Sequence, residues 1–163
     1  MNVVFLDYDG VVNTPLWHQK DGQWKCRFGQ PFDGKVNNEQ AVQWVSEFCQ
    51  KYGYGIVVSS TWRMDENYDV MLIRGGLRKG VEIVGKTPVL NGKKRGDEIG
   101  QYLAENPDVT GYLIFDDDDD MGEHLNRLVR CNPNRGFGKD EFHCAETLHF
   151  AFNNNEGGNE NVC

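Results

Sequence analysis

VVFLDYDG, residues 3–10, decides the reading of this chain, because four apolar residues stop abruptly at two carboxylates, Asp7 and Asp9, followed by Gly10. A short continuous apolar run is what a strand buried on both faces of a parallel sheet requires. Side-chain alternation then sends Asp7 and Asp9 to the same side and Tyr8 into packing. Ligands of open α/β sheets sit outside the carboxyl ends of the strands, and Gly10 lets the backbone turn sharply there. Two acids this close repel unless a cation or a proton separates their roles, so the pair points to a metal site, to acid/base work, or to both. Taken alone, an exposed Asp-Gly turn accounts for the same letters.

Outward from this segment, strand-like and helix-like stretches alternate, as in βαβ units with a mainly parallel sheet. The first strand is read at 2–7. Asn37 or Asn38 caps a helix running to about Tyr52, with Ala41, Val45, Phe48 and Tyr52 on one stripe and Gly53 as its stop. Tyr54 to Ser59 is a second strand, 64–74 a helix, Val81 to Val84 a third strand, 96–105 a helix and Tyr112 to Phe115 a fourth strand. Leu125 to Cys131 is a weaker strand candidate, and 139–152 is helical. Residues 1–152 are expected to form one domain with a hairpin flap inserted at 13–37. Residues 153–163, NNNEGGNENVC, have almost nothing to bury and are expected to be a flexible tail.

Composition narrows the function. A chain of 163 residues with 39% hydrophobic content can bury one proper core, and its net charge of -8 supplies no positive field for general nucleic-acid binding. Five widely spaced cysteines without a CxxC pair read as reduced, structural thiols. No apolar stretch approaches the roughly 20 residues that span a bilayer, so no membrane partner and a cytoplasmic location are expected.

The strand ends carry the chemistry. The first delivers Asp7 and Asp9, the second Ser59, Ser60 and Thr61, and the fourth the run Asp116 to Asp120. In a parallel sheet these lie on one edge, joining hydroxyl donors to hard oxygen ligands suited to Mg²⁺ and phosphate. The aspartate run is not an EF-hand loop, since Met121 stands where glycine is required and Arg127 where the closing glutamate belongs. GVEIVGKT, residues 80–87, satisfies the P-loop expression by chance, because VEIV is itself a strand and Pro88 opposes a helix start.

Taken together these motifs resemble the phosphohydrolase branch of the haloacid dehalogenase (HAD) superfamily. VVFLDYDGVV resembles its first motif, IVVSS its second, the basic residues before GDEIGQYL its third and YLIFDDDDDM its fourth. SSTWR, GKTP, RGDEI and DDDDDM look like a group of compact members, some associated with RNA repair. The resemblance implies a Rossmann-like three-layer α/β sandwich with a mainly parallel central sheet, and a Mg²⁺-dependent phosphatase without a large cap. Asp7 would be the nucleophile that forms an aspartyl-phosphate, and Asp9 the general acid and then base. Ser59 would bind a phosphoryl oxygen, or Ser60 if the strand ends one residue later. Arg95, then Lys94, would supply the third-motif cation, with Lys86 as a further candidate; Lys is the commoner choice in the family. Asp116 would ligate the metal with Asp7 and the backbone carbonyl of Asp9, Asp117 being next in line and Asp120 positioning the loop. Gly10 and Arg63 would touch substrate, although Arg63 could instead pair with Asp65.

Substrate choice falls to what lies beside the site. LWHQKDGQWKCRF, residues 16–28, places two runs around Asp21-Gly22 and predicts a small hairpin flap bearing Trp17, His18, Lys20, Trp24, Lys25 and Arg27. Its cations and rings could recruit and stack an anionic substrate, or Trp17 and Trp24 could merely pin the hairpin to the core. The phosphorylated substrate is left as a small molecule or a nucleic-acid end. A non-catalytic metal- and phosphate-binding module is the alternative, opposed by the intact pair Asp7 and Asp9.

Overall fold

A computed structural model of the chain describes residues 1–14 and 39–153 in full, and 17–20 and 23–26 by their backbone. The strands are β1 (Asn2–Leu6), β2 (Trp17–Lys20), β3 (Gln23–Cys26), β4 (Tyr54–Val58), β5 (Ile83–Lys86), β6 (Gly111–Asp116) and β7 (Leu128–Arg130). The helices are α1 (Glu39–Tyr52), α2 (Val70–Arg74), α3 (Arg95–Glu105) and α4 (Lys139–Asn153). Five strands form one sheet in the order β5-β4-β1-β6-β7, every neighbouring pair parallel. The sandwich read from the sequence is thus present.

Alternation along the strands divides the core into two layers. Val4, Leu6, Tyr8, Ile56, Val58, Leu113 and Phe115 pack on α1, α2 and α4 through Phe48, Leu72 and Phe142. Val3, Phe5, Val57 and Ile114 face the other way, onto Ile99 and Tyr102 of α3. Each such large apolar side chain contributes about 1.5–3 kcal/mol when fully buried. α1 forms because Ala41, Val42, Val45, Phe48 and Cys49 recur at helical spacing, and it ends where Gly53 takes φ +71°.

Connectivity locates the crevice. From β1 the chain builds outward to β4 and β5 with α1 and α2 on one face, then returns through α3 on the other face to lay β6 against the far side of β1. The order therefore reverses at β1, and a ligand crevice opens at the carboxyl end of such a strand.

Several boundaries differ from the sequence reading. The helix expected over 64–74 is a 3-10 turn at Thr61–Met64 and a short α2. Asp65 Oδ1 accepts the Asn67 amide at 2.8 Å, a local turn that competes with helix formation. The third strand is displaced from 81–84 to Ile83–Lys86, because Gly85 leaves room for Tyr102 against the sheet and the strand runs through it. Of Leu125 to Cys131, only Leu128–Arg130 is strand, and Gly122–Arg127 is a 3-10 turn. Trp17–Lys20 and Gln23–Cys26 pair antiparallel as the hairpin signal predicted. Asp21, Gly22 and Arg27, the proposed cap at Asn37 or Asn38, and 154–163 of the proposed tail lie outside the described residues. Cys49 and Cys131 are free and buried, whereas Cys144 is disulfide-bonded, contrary to the expectation of reduced thiols throughout. Among the described residues, no helix is long and apolar enough to cross a membrane.

Candidate active site

One residue beyond the last positions at which β1 pairs with β4 and β6, and β4 with β5, the sheet presents a row of polar side chains. Leu6 pairs with Val58 and with Phe115, and Val58 pairs with Lys86, so the next residues across the sheet are Thr87, Ser59, Asp7 and Asp116. The ladder continues into this row, since Ser59 N donates to Leu6 O at 2.9 Å, Asp7 N to Phe115 O at 3.0 Å and Thr87 N to Val58 O at 3.0 Å. Shared register puts these side chains on one face, the face covered by α3. All four are buried.

The row is poorly satisfied from within the protein. Among the described residues, the buried side-chain atoms without a hydrogen-bond partner are Ser59 Oγ, Thr87 Oγ1, Asp116 Oδ2 and Arg95 Nη1, all at this edge. Buried polar groups are normally paired, so such a concentration marks a place where a ligand's atoms are received. The unpartnered atoms are of complementary kinds: hydroxyls and a guanidinium for phosphoryl oxygens, and a carboxylate oxygen for a cation.

The carboxylates come together. Asp7, Asp116 and Asp117 each offer an oxygen within 4.8 Å of the others, close enough to share one divalent cation. Burial pushes the Asp7 carboxyl above its ordinary value against the opposing pull of Arg95. Burial and then the charge of Asp7 push Asp116 up to about 7 and raise Asp117 as well. A cation between them would remove this repulsion. Gly10 permits the crowding: at φ +79° a Cβ there would lie within 2.8 Å of both Asp117 carboxylate oxygens.

Arg95, the first residue of α3, reaches Asp7 Oδ1 with Nη2 at 3.6 Å and Asp116 Oδ2 with Nε at 3.5 Å. These separations neutralise charge without forming good hydrogen bonds. The β6 loop fixes the start of α3, because Asp120 Oδ2 accepts the Arg95 amide at 3.2 Å and Asp120 O accepts the Gly96 amide at 3.2 Å. Gly96 itself lies against the Met121 backbone with no room for a Cβ. Lys94 and Lys86, the other candidate cations, are exposed; Lys86 donates to Arg63 O at 2.9 Å and lies over the Tyr68 ring.

Other expected site residues are placed differently. Asp9 is exposed, and its carboxylate is not in the Asp7, Asp116 and Asp117 cluster; Asn13 Nδ2 donates to Oδ1 at 2.6 Å and Trp62 Nε1 to Oδ2 at 2.9 Å. Ser60 sits beside Asp7, lowering its pKa, and accepts the Trp62 amide at 3.4 Å, which leaves Ser59 as the unpartnered hydroxyl. Gly10, expected to touch substrate, donates its amide to Asn13 O at 2.8 Å.

Arg63 corrects both of its expected roles. Its guanidinium is buried and all five N–H groups are engaged: Nε with Thr87 O, Nη1 with Ser59 O and Ser60 O, and Nη2 with Pro88 O and Glu98 Oε2. It neither pairs with Asp65 nor keeps a donor for substrate. Instead it clamps the carbonyls behind the hydroxyl row and ties them to α3. Thr87, Trp62 and Asn13 were not singled out from the sequence. Thr87 carried a signal, for it follows VEIVGK just as Ser59 follows GIVV, while Trp62 shows its value only once the loop after β4 folds over β1.

The family model for the HAD domain in Swiss Army Knife RNA repair proteins matches residues 3–142, spanning β1 to the first turn of α4. No curated protein matches the chain.

Proposed function

From a chain that belongs to the family of HAD domains in Swiss Army Knife RNA repair proteins, we infer a Mg²⁺-dependent phosphatase that opens a phosphomonoester through an aspartyl-phosphate on Asp7. The HAD assignment suggests a phosphohydrolase with aspartate-based catalysis, and the cluster of Asp7, Asp116 and Asp117 supports that reading. The observation that carries the finer reading is the row of unpartnered Ser59 Oγ, Thr87 Oγ1, Arg95 Nη1 and Asp116 Oδ2 around Asp7.

In this reading Asp7 attacks phosphorus as the bond to the leaving oxygen breaks, and Asp9 gives that oxygen its proton. Water then attacks the phosphoryl group, Asp9 takes its proton, the bond to Asp7 breaks, and phosphate leaves. Ser59, on the strand next to Asp7, is suited to donate to a phosphoryl oxygen, and Arg95 to offset the charge that develops on these oxygens. The oxygens of Asp7, Asp116 and Asp117, with the backbone carbonyl of Asp9, suit Mg²⁺, which when bound would neutralise phosphate charge and hold the reacting phosphoryl in line.

As substrate we assign the phosphorylated end of a polynucleotide, a class that the family's description favours. A cavity of about 240 Å³ beside Arg95, lined in part by Thr61, Met64, Val89 and Lys93, offers room for the unit next to the phosphate. Met64 and Val89 are 66% and 52% exposed there and offer apolar surface suited to a sugar or base.

The test is turnover of an aryl phosphate and of a short RNA bearing a terminal phosphate, with Mg²⁺ and with chelator. Turnover should require the metal, and Asp7→Asn should lower it by on the order of 10⁴ or more. Metal binding without turnover on either substrate would instead support the non-catalytic module.

A further inference from the structure

The exposed carboxylate of Asp9 is gripped from two sides, and the two grips differ in kind. Asn13 belongs to the same turn, with its amide on Tyr8 O at 2.6 Å and its carbonyl on the Gly10 amide at 2.8 Å. Trp62 arrives from the loop after β4, 53 residues away in the chain, and reaches Asp9 Oδ2 with its indole N–H at 2.9 Å. That loop is stiff where it matters. The Trp62 amide is capped by Ser60 Oγ, its carbonyl accepts the Asp65 amide at 3.0 Å, and the next residue is the fully bonded, buried Arg63. The indole is therefore a strut built on the buried clamp.

We propose that Trp62 is the positioning residue for Asp9, aiming its carboxylate at the leaving oxygen and then at the attacking water; this rests on the phosphatase reading above. An indole N–H only donates, so Trp62 takes no part in the proton transfer. An acid/base group must be held to within about 0.5 Å to act, and an exposed aspartate at a strand end has no packing of its own to do this. Removing the strut leaves Asn13 as the sole described side-chain grip and costs part of the 10²–10⁴ typical of general acid/base catalysis. On an alkyl phosphate, where both steps slow together, about tenfold in kcat is expected with KM and Mg²⁺ affinity unchanged.

The leaving group separates this role from simple packing. A weakly basic aryl leaving group departs without a proton, so Trp62→Phe should still form phospho-Asp7 from an aryl phosphate at the wild-type rate and then hydrolyse it about tenfold more slowly. The result is an initial burst followed by a slow steady state. With an alkyl phosphate, whose oxygen must be protonated, both steps should slow and the burst should vanish. A variant carrying 3-benzothienylalanine at position 62 keeps the indole's shape and lacks only the N–H, so it should match Trp62→Phe even if the latter loosens the fold. Wild-type rates on alkyl phosphates from the benzothienyl variant, or a Trp62→Phe defect confined to KM, would overturn the proposal while leaving the phosphatase intact. A wild-type protein that turns over nothing would remove both readings together.

Discussion

Two carboxylates, Glu146 on α4 and Asp116 at the end of β6, show opposite uses of the same chemical group. Glu146 is saturated: Oε1 accepts from Lys51 Nζ at 2.8 Å and from the Tyr52 hydroxyl at 2.6 Å, and Oε2 pairs with His143 Nδ1 at 3.1 Å. Those donors, Lys51 first, hold its pKa down to about 2. Asp116 is buried with one backbone amide on Oδ1, no hydrogen bond on Oδ2 and Asp7 alongside, and its pKa stands near 7. The first carboxylate helps hold α1 to α4. The second is kept unsatisfied, and a fold accepts such a group where something outside the chain is to complete it.

Glu98 sharpens the contrast, being buried like Asp116 yet completed like Glu146. It accepts Arg63 Nη2 at 2.6 Å and the Leu90 amide at 3.1 Å. Arg63→Met should therefore have the largest effect on stability, about 3–5 kcal/mol in denaturant unfolding, because it strands a buried charge and frees four backbone carbonyls. A cost below 1 kcal/mol would mean that Glu98 relaxes to water and that the clamp is not rigid.

How far this was legible follows from where each signal lives. β1, β4 and β6 could be read because each is an apolar run ending in polar residues, and parallel pairing then forces those ends together. Asp7, Ser59 and Asp116 follow from local letters and one topological rule. Arg63 and Trp62 do not, because their partners Glu98, Thr87 and Asp9 are distant in sequence and no spacing rule links them. Arg95 rather than Lys94 faces the site because α3 begins at 95 and Asp120 caps it, a contact between segments 25 residues apart. The failed helix over 64–74 has a local cause that apolar spacing alone does not register: the Asp65 side chain takes the Asn67 amide.

A smaller effect, of opposite sign, is expected at the unsatisfied carboxylate itself. Asp116→Asn removes a buried charge that repels Asp7, so in chelator the variant should unfold about 1–2 kcal/mol later than wild type despite losing an ion-pair partner of Arg95. Millimolar Mg²⁺ should raise the wild-type melting temperature and leave that of the variant nearly unchanged, because only the wild type gains from binding. A variant less stable than wild type in chelator would place Asp116 with Glu146, as a structural group.

The smallest expected effect tests the other half of the contrast. Because the pKa of Glu146 is lowered on folding, from 4.5 to about 2, the folded state binds fewer protons than the unfolded state between those values. Its contribution is therefore complete above about pH 5 and is lost as pH falls toward 2. Lys51 is 53% exposed, so solvent screens the pair and the contribution is about 1 kcal/mol, well below what the shift alone would suggest. Glu146→Gln should cost that much in urea unfolding at pH 7, and the gap to wild type should shrink steadily between pH 5 and pH 2. Asp116, raised on folding from 3.8 to about 7, shifts stability between those values in wild type and variant alike, so it cancels in the gap between them. A gap that stayed constant down to pH 2 would show that Glu146 acts through packing of its side chain between α1 and α4, and charge satisfaction would no longer distinguish the two regions.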